Sequence, residues 1–272
     1  MTRITEQPSP YRHLEKMPVE ELTRLINQED ARVAVAIEKA LPFVNRLIEA
    51  IVGCLGAGGR LFYVGAGSGG RLSVLDIIEL PTTYGLPKGI VNTVLAGGIP
   101  RLAEAREEME DDALAGWSAL LADGISAADI VVGVSASGTT PFVLGALTEC
   151  RHRGIPTGCI VSNPDSPIAA MSDYPVEVIT GPEFLTGSTR MKCGTAQKMV
   201  FDMISTTTMI RLGRVLDNQM IDVLLINDKI TDRAVHILME KAGIADYASA
   251  RELLLTQGSV RKALLHLNIS II

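Results

Sequence analysis

The sequence predicts an α/β fold, a doubly wound parallel sheet of about five strands flanked by helices. Three observations carry this expectation. Residues Arg60 to Gly65 form a β-rich run that passes through a glycine turn, Gly65-Ala66-Gly67-Ser68-Gly69-Gly70, straight into a helical pattern. Short β-rich runs then alternate with helical stretches along most of the chain. Short β-rich runs set between helices imply a parallel sheet covered on both faces.

Taken in order, Thr2 to Pro10 is polar and punctuated by proline, a segment expected to wrap a partner or the surface. Apolar residues at helical spacing from Pro18 to Asn27 and from Asp30 to Leu55, with Pro42 interrupting the second run, predict two or three helices before the first strand. After the glycine turn, Leu72 to Leu80 reads as a helix stopped by Pro81, and Ile90 to Leu95 as a strand. Pro100 to Ala122 reads as one long acidic helix. Ile130 to Val134, Thr157 to Val161 and Val176 to Thr180 are further strands, with a helix over Pro141 to Arg153. Ser188 to Leu212 is a long helix, and the chain from Asp217 onward reads as helical. The expected organisation is an N-terminal helical extension over 1–55, a parallel-sheet domain over 56–215 and a small C-terminal helical cap over 216–272.

With 272 residues, 47% hydrophobic and 21% charged, the chain can bury a full core and is not predominantly disordered. No run approaches the ~18 apolar residues of a membrane span, and no leader-like segment opens the sequence. A formal charge of −6 lacks the basic footprint of a nucleic-acid binder. Cys54, Cys150, Cys159 and Cys193 show no metal or redox spacing, which predicts reduced thiols and a cytoplasmic setting. His13, His152, His236 and His266 likewise lack ligand spacing.

The glycine turn is suited to an anion. Backbone can approach a phosphate closely there, and the unpaired N–H groups and dipole of the following helix point at it. The same letters fit the dinucleotide pattern G-x-G-x-x-G, but the next strand ends in Ala96-Gly97-Gly98, without the carboxylate that would hold a ribose. A purely structural turn is the third reading.

A second strand end, Val134-Ser135-Ala136-Ser137-Gly138-Thr139-Thr140-Pro141, offers four hydroxyls, which are either phosphate ligands or helix caps. A third, Gly181 to Lys192, brings Glu183, hydroxyls including Ser188, and the cations Arg190 and Lys192; capping by Thr186 or Ser188 is the structural alternative. Ligands of open α/β sheets sit beyond the carboxyl ends of the strands, where all three loops fall.

The chain resembles the N-acetylmuramic acid 6-phosphate etherases, a branch of the sugar isomerase (SIS) fold related to the glucokinase regulatory protein. The likeness runs through Ile26-Asn27-Gln28-Glu29-Asp30, Gly65-Ala66-Gly67, Leu75-Asp76, Ala96-Gly97-Gly98, Ala136-Ser137-Gly138, Asn163-Pro164, Gly181-Pro182-Glu183, Thr186-Gly187-Ser188-Thr189-Arg190 and Gly194-Thr195-Ala196-Gln197-Lys198. It implies an SIS-type sheet and a lyase that cleaves the lactyl ether of N-acetylmuramate 6-phosphate by elimination and hydration, in cell-wall amino sugar recycling. No cofactor or metal is implied, and a homodimer with its site near the subunit interface is.

The family's two catalytic glutamates fall on Glu79 and Glu110. Glu79, at the end of an apolar stretch, is expected to be partly buried with a raised pKa, as a general acid needs. Substrate contacts are expected from Gly67, Ser68, Gly69, Ser135, Ser137, Thr139, Thr140, Glu183, Ser188 and Lys192. Where the family's turn reads Gly-Ala-Gly-Thr-Ser-Gly, Ser68 alone supplies the hydroxyl here, and Thr139 stands where arginine is common. A non-catalytic phosphosugar regulator and an aldose-ketose phosphate isomerase are the rival readings.

Overall fold

The computed structural model describes residues 3–104 and 107–271. The chain divides into two compact units, Met1–Leu75 with Ile90–Ile204, and Asp76–Gly89 with Ser205–Ile272.

The first unit is built on five parallel strands, β1 (Leu61–Gly65), β2 (Val91–Leu95), β3 (Ile130–Ser135), β4 (Thr157–Val161) and β5 (Tyr174–Glu177), in the order β2-β1-β3-β4-β5. Every residue of β1, β3 and β4 is buried, as in a parallel sheet covered on both faces. Gly65 pairs with Val134 across the β1–β3 ladder. The chain leaves β1 toward β2 and returns on the opposite side at β3, so a crevice opens between their carboxyl ends.

Helix α1 (Val19–Gly56) packs on β1 and β5. Its inward positions Val33, Ile37, Ala40, Val44, Leu47, Ile48 and Ile51 keep helical spacing across Pro42. That continuous apolar stripe outweighs the ~3 kcal/mol cost of an interior proline, so one 38-residue helix replaces the two or three expected. Helix α2 (Gly67–Tyr84) likewise runs through Pro81. The acidic stretch expected as one helix breaks into short 3-10 turns, Ile99–Arg101 and Glu107–Asp111, ahead of α3 (Ala115–Ala122). Residues 105 and 106 of that expectation lie outside the described residues.

On the α3 face, Phe62, Val64, Val131, Cys159 and Val161 pack with Trp117 and Leu120 of α3, with Phe142, Val143 and Leu147 of α4 (Pro141–His152), and with Ile168 of the short α5 (Pro167–Ala170). Each such fully buried side chain contributes roughly 1.5–3 kcal/mol. On the opposite face lie α1 and the first part of α6 (Lys192–Arg211), whose Phe201 ring meets Tyr63 edge-on at 4.9 Å. The fifth strand lies two residues earlier than expected. Burial pushes the Cys150 and Cys193 thiols up to about 12 and Cys159 to about 11, and all four cysteines are free.

The second unit holds the end of α2, a two-stranded antiparallel hairpin of β6 (Val215–Leu216) and β7 (Gln219–Met220) where helix was expected, and three helices. These are α7 (Asp228–Ala242), α8 (Tyr247–Gln257) and α9 (Val260–His266). Side chains of Asn227, Asp246 and Ser259 accept hydrogen bonds from backbone N–H groups in their first turns. Their core is Ile221, Val235, Leu238, Leu254, Val260 and Leu264. Among the described residues no helix is long and apolar enough to cross a membrane.

Candidate active site

The crevice between β1 and β3 holds a small polar hollow of about 200 Å³. Ala66, Gly67, Ser68 and Gly69 at the start of α2 line one side, and Ser135, Ala136, Ser137 and Thr140 after β3 line another. Glu110, Gly187, Thr189, Gln197 and Glu6 complete it. The first intrahelical bond here runs from Gly70 N to Ala66 O at 3.0 Å, so the amides ahead of Gly70 open the helix and face its N-terminal end.

The hydroxyl loop does not exist to cap α4. Thr140 occupies the cap position without a capping side-chain bond. Its Oγ1 instead lies 2.8 Å from Ser135 Oγ, which is 3.2 Å from Ser137 Oγ and accepts from Gly138 N at 3.1 Å. Gly138 makes this fold-back possible: its φ is +71°, and a Cβ there would stand 2.4 Å from Ser166. Ser135, Ser137 and Thr140 thus present linked hydroxyls beside the α2 N-terminus, a donor-rich wall of the hollow.

Glu110 enters from the 3-10 turn Glu107–Asp111. Its Oε1 lies 2.8 Å from the point a Cβ on Gly67 would occupy. Arg71 fixes the route to it, donating from Nε to Leu102 O at 3.3 Å and from Nη2 to Glu104 O at 3.0 Å. Burial raises the Glu110 pKa above 4.5, the neighbouring Glu107 and Asp111 add to this, and Arg71 opposes it. A half-buried carboxyl thus stands against the glycine turn at the start of α2.

The glucokinase regulatory protein N-terminal SIS domain matches residues 43–151, and the SIS domain matches residues 117–206. A protein named N-acetylmuramic acid 6-phosphate etherase from Porphyromonas gingivalis is 52% identical over 261 residues, spanning 96% of this chain and 95% of its own. One of the same name from Bacteroides thetaiotaomicron is 50% identical, over 96% and 94%. The chain belongs to the N-acetylmuramic acid 6-phosphate etherase family. Phosphoheptose isomerases from Francisella tularensis and Neisseria gonorrhoeae share its fold at TM-scores of 0.53 and 0.52, with 16% and 17% identity. They overlap 73% and 70% of this chain and 100% and 98% of theirs.

Not every expected residue of this etherase-family chain reaches the hollow. Gly67, Ser68, Gly69, Glu110, Ser135, Ser137 and Thr140 do. Thr139 Oγ1 accepts from Arg3 Nη1 at 3.0 Å and lines a separate hollow with Asn163 and Ser166. Glu183, fully buried, caps α6, accepting from Lys192 N and Cys193 N at 2.9 Å each; neither Thr186 nor Ser188 does so. The Lys192 ammonium is buried and donates to Glu29 Oε2 at 2.5 Å. Ser188 sits in the turn before α6, its N–H bonded to Leu185 O, while Thr189 beside it lines the hollow.

Glu79 corrects an expectation. It is exposed on α2, because Ser73, Val74, Asp76 and Leu80 form the inward side and leave Leu75, Ile78 and Glu79 outward. The four histidines are also exposed, and among the described residues no group of three or more His, Cys, Asp and Glu could hold a metal ion.

Glu6, Thr189 and Gln197 were not singled out by the sequence. Glu6 arrives because the N-terminal segment is pinned across the strand ends. Thr5 and Asn163 exchange two hydrogen bonds, at 3.2 and 2.9 Å, and Ser9 binds Phe184 O and Thr186 Oγ1 at 2.7 and 2.9 Å. Within this segment Thr5 and Ser9 are both buried.

Proposed function

We propose that this chain is a carbon-oxygen lyase that cleaves the D-lactyl ether of N-acetylmuramic acid 6-phosphate, giving N-acetylglucosamine 6-phosphate and D-lactate in amino sugar recycling. The supporting observation is the Glu110 carboxylate held against Gly67 of the phosphate turn.

In this reading the hydroxyls of Ser68, Ser135, Ser137 and Thr140 and the amides of Gly67 and Gly69 bind phosphate, and that remote binding orients the open-chain sugar. Glu110 takes the C2 proton, which the C1 aldehyde acidifies. The electron pair left at C2 forms the C2–C3 double bond as the C3–O bond breaks, and Glu79 gives its proton to the departing lactate oxygen. Water then adds at C3, losing a proton to Glu79, and Glu110 returns its proton to C2. A carboxylate in contact with the C–H and partly desolvated is a competent base, and the raised Glu110 pKa strengthens it. Glu183, Ser188 and Lys192 belong to the site as its support, holding the α6 start and the loop that carries Thr189.

The exposed side of α2 with Ile78 and Glu79 supports a homodimer with the site near the subunit interface, and the four free cysteines support a reducing, cytoplasmic setting. Incubation with N-acetylmuramate 6-phosphate and enzymatic detection of D-lactate tests the reading. Phosphosugar binding without lactate would replace it with the regulator reading.

A further inference from the structure

Gln197 sits on the second turn of α6 with 2% of its surface exposed. Its carboxamide rests against the start of α2: Oε1 and Nε2 lie 3.0 and 3.3 Å from the point a Cβ on Gly69 would take. Val134 Cγ1 stands 3.0 Å from that same point, so one flank of the group is apolar. The Nε2 atom is buried and has no hydrogen-bond partner among the described residues.

A buried donor without a partner weakens a fold, and methionine or leucine would fill the same space without that cost. Packing therefore does not explain an amide at this position. Its location does, since Gln197 lines the hollow together with Gly69, Ser68 and Ser135. Helix N–H groups, hydroxyls and an amide donor gather there, alongside the Glu6 and Glu110 carboxyls that also line the hollow, and donors grouped in this way suit an oxyanion.

We propose that Gln197 is a substrate-binding residue whose amide donates a hydrogen bond to a phosphate oxygen held over the α2 N-terminus. The inference rests on the etherase reading for the identity of the sugar, but not for the phosphate. Because the amide is fixed in place before the ligand arrives, it adds affinity with little ordering of its own side chain. Loss of the contact is expected to raise KM for the phosphosugar.

The test compares Gln197→Met and Gln197→Glu with the parent chain, using isothermal calorimetry with inorganic phosphate and thermal melting, alongside turnover of N-acetylmuramate 6-phosphate. Gln197→Met is expected to weaken phosphate binding roughly ten- to a hundredfold. Its Tm is expected to equal or exceed that of the parent, because the unpaired donor is gone. Gln197→Glu, which adds a negative charge and removes the donor, is expected to bind more weakly still. Unchanged phosphate affinity in Gln197→Met would overturn the proposal, and so would a Tm lowered by several degrees, the mark of a merely structural amide. Calorimetry needs no turnover, so a parent chain that binds phosphate through Gln197 without releasing lactate would sink the etherase reading alone. Lactate release with the parent KM in both variants would sink this inference alone.

Discussion

Glu110 and Gly67 occupy each other's space: the glutamate oxygen stands 2.8 Å from where a side chain at Gly67 would start. The missing side chain at one residue is what lets the carboxyl of the other reach the glycine turn. Gly67 also has φ of +52°, a left-handed conformation that costs a non-glycine residue about 1–2 kcal/mol. Gly67→Ala is therefore expected to displace Glu110 and lower turnover by on the order of 10²-fold. Lactate release at saturating substrate checks this, and parent-like turnover would remove the packing argument.

Glu110 also makes stability depend on pH. Its folded pKa lies above 4.5, so between the two values the folded chain holds the proton that the unfolded chain releases. Stability from this group therefore falls as pH rises through that window and stays lower at neutrality. Glu110→Gln removes the penalty: it should melt at a higher temperature than the parent at pH 7, with the difference closing below pH 4.5. The same variant should release no measurable lactate. A gain in stability coupled to loss of turnover is the signature of a carboxyl kept for chemistry.

Glu79→Gln is expected to lower turnover by on the order of 10²–10⁴ while phosphosugar affinity stays within a few-fold, as loss of a proton donor should. Turnover equal to the parent would take Glu79 out of the mechanism.

Much of the fold was legible because its signals are local. Short β-rich runs announced β1, β3 and β4, and the glycines after Val64 announced the turn into α2. Proline misled: Pro42 and Pro81 each argued for a break, but the buried stripe of α1 and the inward side of α2 continue past them. The acidic stretch misled in the other direction, since charge at helical spacing does not reveal that 3-10 turns deliver Glu110 to Gly67. At the site, hydroxyl-rich loops were readable but the identity of the capping group was not. Whether Glu183 or Ser188 holds the start of α6 depends on a packing arrangement that spacing alone does not encode. Gln197, though it lies in a run that carries the resemblance, and Glu6 were not readable as site residues for the same reason, their chemistry lying in what surrounds them.

The buried pair of Glu29 and Lys192 carries a stability prediction. Burial raises the Glu29 pKa, yet hydrogen bonds from Lys192 and Tyr11, with the nearby Arg32, hold it below 4.5 overall. Its contribution is thus present above pH 4.5 and lost as pH falls through the depressed value. Lys192→Met leaves the Glu29 charge buried without its closest partner and should destabilise the chain by about 3–5 kcal/mol at pH 7. The double variant Glu29→Leu with Lys192→Met should recover much of that loss, since no unpaired charge remains. Chemical denaturation of the three chains at pH 7 decides it, and a double variant no more stable than Lys192→Met would show that the pair does more than neutralise itself.

Asn163 joins the N-terminal segment to the hydroxyl loop. Its Oδ1 accepts from Thr5 N at 3.2 Å, while its Nδ2 donates to Thr5 Oγ1 at 2.9 Å and to Ser137 O at 3.0 Å. One side chain therefore sets the position of Glu6 on one side of the hollow and Ser137 on the other. Asn163→Ala leaves the buried Thr5 N–H and the Ser137 carbonyl without this partner, at a cost of about 1–3 kcal/mol. The N-terminal segment should then detach more readily than the sheet unfolds, so trypsin cleavage after Arg12 should accelerate under conditions in which far-ultraviolet circular dichroism is unchanged. KM for the phosphosugar should rise with it, because the loop that presents Ser137 and Thr140 has lost its brace. Faster cleavage with parent-like KM would separate the segment from the site, and unchanged cleavage would mean that Ser9, bound to Phe184 and Thr186, holds the strap alone.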